Sequence, residues 1–460
     1  MKLNSSIAWV ALFGGVALFF TPPPAGIDPV VMRAAGIVTL TVGLFATAAI
    51  PEFLSALIFF FLCVIVALAP PNVVFSGFFS GAVWLVLGGL IIGVGIEVSG
   101  LGARIAGKLE RLFGDTYVRV IWGTVLLMSL LAFLMPSAVG RVAIMLPVVL
   151  ALADRLGFET GSNGRAGLIL AVGLGTLILP FSILPANVPN VVLAGAAEAA
   201  YNIRFSYTEW MLLHFPVSAI IGLVVLPVSI ILIFPDKVAE RPSDTVDDHQ
   251  PWSFNEKKML ILLICTLLLW VTDNRHGASP AWVSLGAGIV CALPVVGVLP
   301  APQVMQKMNF GPLIFLAAVV GMGAVVIDTG LGNFLAQQLT SQINLASDSG
   351  LEKFASVIGI GWVLQLVATL AGQPAIMTAI SEPIAAATGW SLTNVLMMQV
   401  PAWALLIFPY QAPPLVATRA ISGLAISQFL KLMLPFALVS ALISVPLQYL
   451  WWQFLGFLPA

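Results

Sequence analysis

The 460-residue chain is 60% hydrophobic and only 8% charged, with a formal net charge of −1 and a mean hydropathy of +1.06. Soluble domains carry roughly 25% charged residues, so this composition excludes a water-soluble globular protein, and the balanced charge excludes a basic nucleic-acid-binding protein. Cys63, Cys265 and Cys291 lie in apolar runs and the 3 histidines are scattered, so neither a disulfide framework nor a metal-binding cluster is expected. The chain is predicted to be a multi-pass protein embedded in a lipid bilayer.

The first part of the chain carries apolar runs that are long enough to cross a bilayer, which takes about 20 residues per helix. These scaffold spans are predicted within residues 7–98, and the glycine-rich stretch 78–98 favours close contacts between helices. Behind them, Arg104, Lys108 and Arg111 share one face of a helical pattern, and apolar residues share the other face. This pattern predicts a helix that lies in the membrane interface.

Two interruptions follow within residues 118–200, which we interpret as a broken hairpin and a broken helix. In the hairpin, the sequence Met-Pro-Ser-Ala-Val-Gly-Arg separates two apolar arms and ends at Arg141. In the helix, Pro-Ala-Asn-Val-Pro-Asn interrupts the apolar run at residues 185–190. Non-helical backbone at membrane depth is tolerated only where protein or a water-filled cavity surrounds it, so such breaks indicate a transporter's binding site.

The charged interval 235–258 is interpreted as a cytoplasmic linker between an N-terminal half, residues 1–234, and a C-terminal half, residues 259–460. The second half repeats the layout of the first. Its predicted elements are scaffold spans at 259–327, a hairpin and broken helix at 354–418, and a last span at 429–452.

Aligning Pro147 with Pro383 places Ser137 opposite Gln373, and the second helix break falls at residues 409–414. An odd number of spans separates the matching elements, so we predict inverted repeats. The predicted fold is an all-α membrane protein with about eleven transmembrane helices plus two re-entrant hairpins. Lys and Arg are concentrated in the loops on the side of the N-terminus, which predicts an inner (plasma) membrane protein with a cytoplasmic N-terminus and an external C-terminus.

These features resemble the divalent anion:sodium symporters of the ion-transporter superfamily. The resemblance covers nearly the whole chain and is carried by short segments in a fixed order. They are Ala49-Ile-Pro-Glu52, Gly89 to Ala106, Met145-Leu-Pro147, Pro189 to Gly195, Leu269 to Asp273, Ile327 to Leu335 and Pro413-Pro414. The resemblance implies a secondary active transporter of a small anion, such as a di- or tricarboxylate or sulfate, that works by an elevator motion in a homodimer. It also implies sodium as the coupling ion, with protons as the alternative, and no cofactor.

In that family, Ser-Asn-Thr motifs at the hairpin tips and Gly-Thr-Pro-Pro-Asn-like helix breaks hold the sodium ions and the substrate. This chain has other residues at those places, and both tips lack the Asn whose side-chain oxygen suits a hard cation. The substrate-binding positions that the resemblance implies, with the tip arginine, are Ser137, Ala138, Val139, Arg141, Asn187, Val188, Gln373, Pro374, Ala375, Ala412 and Pro413. The implied ion-binding positions are Ser137, Ala138, Ala186, Gln373, Pro374 and Gln411.

Two residues near the breaks keep alternative interpretations. Arg141 either binds the anion beside a helix start or has a structural role, tied to a carbonyl or to Glu382. Glu382 either pairs with Arg141 or couples protons. Another branch of the superfamily, such as a cation/proton antiporter or a metalloid or anion exporter, is the alternative function, and a carboxylate at a hairpin tip would favour it. An enzyme would need a catalytic cluster, which the sequence lacks near either break, and a channel would not need two occluding hairpins.

Overall fold

The computed structural model describes residues 2–47, 49–102, 104–105, 116–135, 137–238, 251–340, 343, 345 and 347–459. Within these ranges the chain folds into helices and contains no strand. The interfacial helix predicted around Lys108 and Arg111 lies outside the described residues, as do Pro136 and the middle of the linker, residues 239–250.

Within the described residues, the first half contains ten α-helices of eight or more residues, several of which start at a serine that caps free backbone N–H groups, as Ser162 and Ser206 do. In order they are α1 (Lys2–Phe20), α2 (Pro29–Thr47), α3 (Glu52–Ile65), α4 (Gly81–Ser99), α5 (Tyr117–Leu134), α6 (Ala138–Arg155), α7 (Asn163–Gly175), α8 (Val188–Tyr201), α9 (Tyr207–Ile220) and α10 (Leu226–Ile233). Short turns of helix occur at Pro71–Val74, Ser76–Phe79, Leu179–Ser182 and Leu184–Ala186, and a π-helical turn, Ile221–Val225, joins α9 to α10.

The second half starts with a capping box, in which Ser253 and Glu256 satisfy each other's backbone N–H groups. Its helices are α11 (Phe254–Val271), α12 (Pro280–Ala292), α13 (Ala301–Lys307), α14 (Gly311–Asp328), α15 (Leu331–Thr340), α16 (Gly350–Ala379), α17 (Ser381–Thr388), α18 (Leu392–Met397), α19 (Gln399–Trp403), α20 (Pro413–Ser422) and α21 (Ile426–Phe454). Short turns lie at Asp273–His276 and Pro409–Gln411.

Among the described residues, 8 helical stretches are long and apolar enough to cross a bilayer, and shorter apolar helices add to them. The prediction of a multi-pass membrane protein is therefore confirmed. Two of the long stretches, Tyr117–Leu134 and Gly350–Ala379, belong to the predicted hairpins. The number of helices that span the membrane therefore stays a prediction, as do the bounds of the two halves.

Elements of the two halves contact each other in matching pairs. Helix α3 packs on α14, and its counterpart α12 packs on α4. The second arm of the first hairpin, α6, packs on α20, while the second hairpin, α16, packs on α8. Reciprocal contacts of this kind are what two repeats related by a two-fold axis produce, and they fit the predicted inverted repeats.

The structure corrects the register of the two hairpins. Ser137 caps α6, whereas the second hairpin leaves helical geometry at Thr369 (φ 59°, ψ 174°), four residues before Gln373. Pairing Ser137 with Thr369 also pairs Gly157 (φ 77°) with Gly389 (φ 73°), the left-handed residues that end both hairpins. Gln373 is therefore the counterpart of Arg141.

The alignment of Pro147 with Pro383 was wrong because the two prolines mark different features. Pro147 lies inside the continuous helix α6, whereas Pro383 lies in the first turn of α17. Proline is tolerated in a first turn because the missing N–H has no partner there in any helix. A shared proline therefore did not identify a shared position.

Close crossing of α4 over α12 depends on glycine. A Cβ added to Gly88 would lie 2.2 Å from the carbonyl oxygen of Ser284, closer than any side chain can approach. The same helix contains Gly93, where an added Cβ would meet no atom within 4 Å. Substitutions at these two glycines therefore differ in one respect. Both remove the intrinsic cost of glycine in a helix, but only a substitution of Gly88 disturbs the packing of α4 on α12.

We expect Gly88→Ala to lower the thermal unfolding midpoint of the purified protein, because overpacking of a close contact costs about 1–3 kcal/mol. Gly93→Ala is the matched control and should leave the midpoint unchanged or raise it slightly, since alanine favours helix by up to about 1 kcal/mol. Equal midpoints for the two variants would show that the α4–α12 crossing does not require Gly88.

Candidate substrate site at the two helix breaks

The first break is a buried stretch without regular α-helix between α7 and α8. It runs from residue 176 to residue 187, and every residue in it is buried. Its two short 3-10 turns each begin next to a proline, Pro180 and Pro185, which removes a backbone N–H. Carbonyl groups in such a stretch must find partners other than the helix, because a buried unpaired polar group is costly.

Side chains supply many of these partners. Asn190 donates its amide N–H groups to the carbonyls of Ile183 at 2.8 Å and Pro180 at 3.3 Å. The indole of Trp210 donates to the carbonyl of Phe181 at 3.0 Å. These bonds hold the middle of the break, and they show that Asn190 has a structural role.

Arg141 ties the first hairpin to this break. Its Nε donates to Thr176 Oγ1 at 2.9 Å, and Nη2 donates to the Thr176 carbonyl at 2.8 Å and to Asn187 Oδ1 at 3.1 Å. Nη1 donates to the Ala186 carbonyl at 3.1 Å and to the Met135 carbonyl at the hairpin tip. A guanidinium has five N–H donors, so all of them are used.

Among the residues that the structure describes, no carboxylate accepts a hydrogen bond from Arg141. The side chain is 0% exposed, and each of its acceptors is a neutral oxygen. The predicted alternative of a pair with Glu382 is wrong, because Glu382 is exposed and is not among these acceptors. The alternative of carbonyl partners is the one observed. A buried cation without an internal countercharge is expensive and usually marks a functional site.

The other residues predicted for the first half fall into two groups. Ser137 caps α6 by accepting the N–H of Gly140 at 3.0 Å, and the carbonyl of Ala138 accepts from Thr176 Oγ1 at 3.3 Å. Ser137 and Ala138 therefore lie with Arg141, Ala186 and Asn187 around the break. Val139 and Val188 are more than 40% exposed and lie outside this group.

The second break is neutral and rich in glutamine. Gln373 accepts the indole N–H of Trp403 at 2.7 Å, and Gln411 accepts the backbone N–H groups of Ile407 and Phe408 at 2.8 and 2.7 Å. The Nε2 atoms of both glutamines are buried and have no acceptor. The second half therefore offers N–H donors where the first half has a charge.

The remaining predicted residues of the second half contribute backbone and shape. Ala412 is buried and starts α20, and Pro413 occupies the first turn, where no N–H is needed. Pro374 and Ala375 are buried in the second arm of the hairpin, where the carbonyl of Ala375 would lie 3.2 Å from a Cβ at Gly323. Ala375 therefore faces α14.

Two residues near the breaks escaped the sequence analysis. Thr176 binds both the Arg141 guanidinium and the Ala138 carbonyl, although its only signal in the sequence was a hydroxyl within an apolar run. Gln365 is 0% exposed, and neither of its amide atoms has a partner. It lies one turn before Thr369, and a glutamine inside the apolar run before the hairpin tip was the signal that could have found it.

Comparison with known proteins decides the family. The profile of the sodium:sulfate symporter transmembrane region matches residues 2–458, almost the whole chain. The chain belongs to this family. It is a membrane transporter and not an enzyme, and the resemblance seen in the sequence is confirmed.

The proteins that are similar to this chain are distant from it in sequence. The putative malate transporter YflS of Bacillus subtilis is 22% identical over 358 residues, which cover 75% of this chain and 73% of the relative. The sodium-dependent dicarboxylate transporter SdcS of Staphylococcus saprophyticus is 22% identical over 321 residues, which cover 64% of this chain and 62% of the relative. The YdaH transporter of Alcanivorax borkumensis superposes with a TM-score of 0.53 at 15% identity over 98% of both chains, which supports the fold alone.

We expect Arg141→Lys to lower the thermal unfolding midpoint, because lysine has three N–H donors for the five oxygens that Arg141 now satisfies. Each buried acceptor left without a donor costs about 1–3 kcal/mol. Thr176→Val removes one of the five oxygens and should lower the midpoint by less than Arg141→Lys does. A midpoint for Arg141→Lys equal to that of the parent would show that the bonds do not stabilise the break.

Proposed function

We propose that this chain is a secondary active transporter of a small anion with two or more negative charges, a di- or tricarboxylate or sulfate, across the inner (plasma) membrane. The observation that carries the proposal is the buried charge of Arg141, which has only neutral oxygens around it. A cation in this position needs a countercharge from a ligand. The names of YflS and SdcS favour a dicarboxylate, and the name of the family keeps sulfate as the second candidate.

The anion in this proposal is attracted by Arg141 without a direct hydrogen bond to it, since all five N–H groups are taken. A unit charge about 6 Å from a guanidinium gains about 3 kcal/mol at an effective dielectric constant of about 20. Free N–H groups at the starts of α6, α8 and α20 add partial positive charge close to the breaks. The unpaired Nε2 atoms of Gln373 and Gln411 supply neutral donors from the second half.

We also propose that the anion moves together with a cation, sodium first and protons second, by an elevator motion in a homodimer. The family name and the name of SdcS support sodium. The distribution of Lys and Arg supports a cytoplasmic N-terminus as part of this proposal. A cation/proton antiporter is the weaker candidate, because Ser137 and Thr369, the two residues at which the hairpins break, are neutral.

A thermal-shift panel tests the anion class. The purified protein is heated with succinate, malate, citrate or sulfate, in sodium chloride or in choline chloride, with propionate as the monovalent control. A ligand that binds only the folded protein adds about 2.7 kcal/mol of stability at 100 times its Kd, so a substrate with two or more negative charges should raise the midpoint. The proposal fails if no anion with two or more negative charges stabilises the protein, or if propionate does so equally well.

Asn187→Asp should weaken anion binding at least ten-fold while the protein stays folded. The new carboxylate would stand where Asn187 Oδ1 now lies 3.1 Å from Arg141 Nη2, and it would neutralise the charge within the protein. Asn202→Asp adds the same charge at an exposed helix end and serves as the control. Affinity is measured by titration of the anion identified in the panel. An unchanged affinity in Asn187→Asp would show that Arg141 does not attract the substrate.

A further inference from the structure

The surroundings of Arg141 have the composition of a cation site. Five neutral oxygens converge on its guanidinium: two from Thr176, and one each from Met135, Ala186 and Asn187. Four of them are carbonyl or amide oxygens and the fifth is a hydroxyl. Hard metal cations in proteins take oxygen ligands of this kind, and sites with more neutral ligands suit lower charge.

The oxygens come from two separate pieces of chain. Met135 lies between the arms of the first hairpin, and the other oxygens belong to the first helix break. A cation at their centre therefore joins the hairpin to the break. Without it, five carbonyl, amide and hydroxyl dipoles would point at one another in a buried space, which is unfavourable.

We propose that Arg141 is a tethered cation, which fills a cation site between the first hairpin tip and the first helix break and makes a mobile sodium ion unnecessary there. The side chain brings the same single positive charge as a sodium ion. Because it is covalently attached, it is present at every stage of transport and at every sodium concentration. The consequence for coupling rests on the proposed function, but the cation site itself does not.

In the described part of the second half, no cation stands at the position that corresponds to Arg141. The residue that corresponds to Arg141 is Gln373, whose amide is neutral and accepts a hydrogen bond from Trp403. The side-chain oxygens of Gln365 and Gln399 are buried there without a donor. If a mobile cation accompanies the anion, this difference places it at the second break.

A purely structural role for Arg141 makes a different prediction. If Arg141 only fills space and bonds carbonyls, its removal destabilises the protein, and no particular ion restores the loss. If the five oxygens form a cation site, a small cation should bind in the space that the side chain leaves. Guanidinium reproduces the lost group, and sodium suits the oxygen ligands.

The test uses Arg141→Ala, which removes the guanidinium and keeps all five oxygens. Purified parent and variant are heated at constant ionic strength with increasing sodium, potassium or guanidinium in place of choline, and with no transported anion present. Guanidinium is kept at low millimolar concentrations, far below those that denature proteins. Trp270→Ala is the control, because it removes a buried side chain that donates to a carbonyl, that of Pro280 at 3.2 Å, outside both breaks.

We expect the midpoint of Arg141→Ala to rise by several degrees and to saturate with guanidinium or sodium, by mass action on the folded state. Parent and Trp270→Ala should show no additional response of this kind. The proposal is overturned if no cation stabilises Arg141→Ala more than it stabilises the parent. Because the anion is absent, this result does not depend on whether the proposed substrate class is right.

A second readout covers a variant that does not survive purification. Arg141→Ala and Arg141→Ser are extracted and run on a size-exclusion column in buffers that contain guanidinium, sodium or choline. Recovery of folded protein with guanidinium or sodium, and not with choline, supports the cation site. Equal loss in all three buffers overturns it and leaves Arg141 as a structural residue.

Discussion

The constraint on which this structure depends is that every backbone polar group at membrane depth must be paired. The first helix break leaves carbonyl groups without helical partners, and residues from elsewhere in the chain pair with them. Arg141 does most of this work, because one planar group reaches four oxygens of the break and one of the hairpin tip. A neutral side chain has fewer donors, so an amide in place of the guanidinium would pair with fewer of the oxygens at this break.

The contacts between the halves explain why this local arrangement matters for the whole molecule. Hairpin arm α6 carries Arg141 and packs on α20, the helix that follows the second-half break. Helix α16 carries Gln373 and packs on α8, which follows the first break. Each break is thus bonded to the hairpin of its own half. The helix that follows the break packs on the hairpin of the other half. A ligand between the two breaks would sense residues from both repeats.

Composition and periodicity were sufficient to predict the membrane class and the presence of a proline-rich break in each half, because these depend on apolar runs and on proline. Both breaks begin earlier than predicted, because α7 already ends at Gly175 and α19 at Trp403. The register of the second hairpin was not predictable in this way. Pro147 and Pro383 look alike in sequence, but only the backbone at Thr369 shows where the second hairpin turns. The partners of Arg141 were equally hidden, since Thr176 lies 35 positions away and offers only a hydroxyl and a carbonyl.

The corrected register changes what the repeat symmetry means. With Arg141 opposite Gln373, the second hairpin arms end at the matching left-handed residues Gly157 and Gly389, and the two arms differ in charge at this buried position. A positive charge enclosed by neutral oxygens gains little from them compared with its lost hydration, so folding alone does not explain its retention. In the proposed function, an anion that binds at the breaks would supply the missing countercharge. The charge asymmetry between the repeats is therefore better explained by the ligand than by the stability of the empty protein.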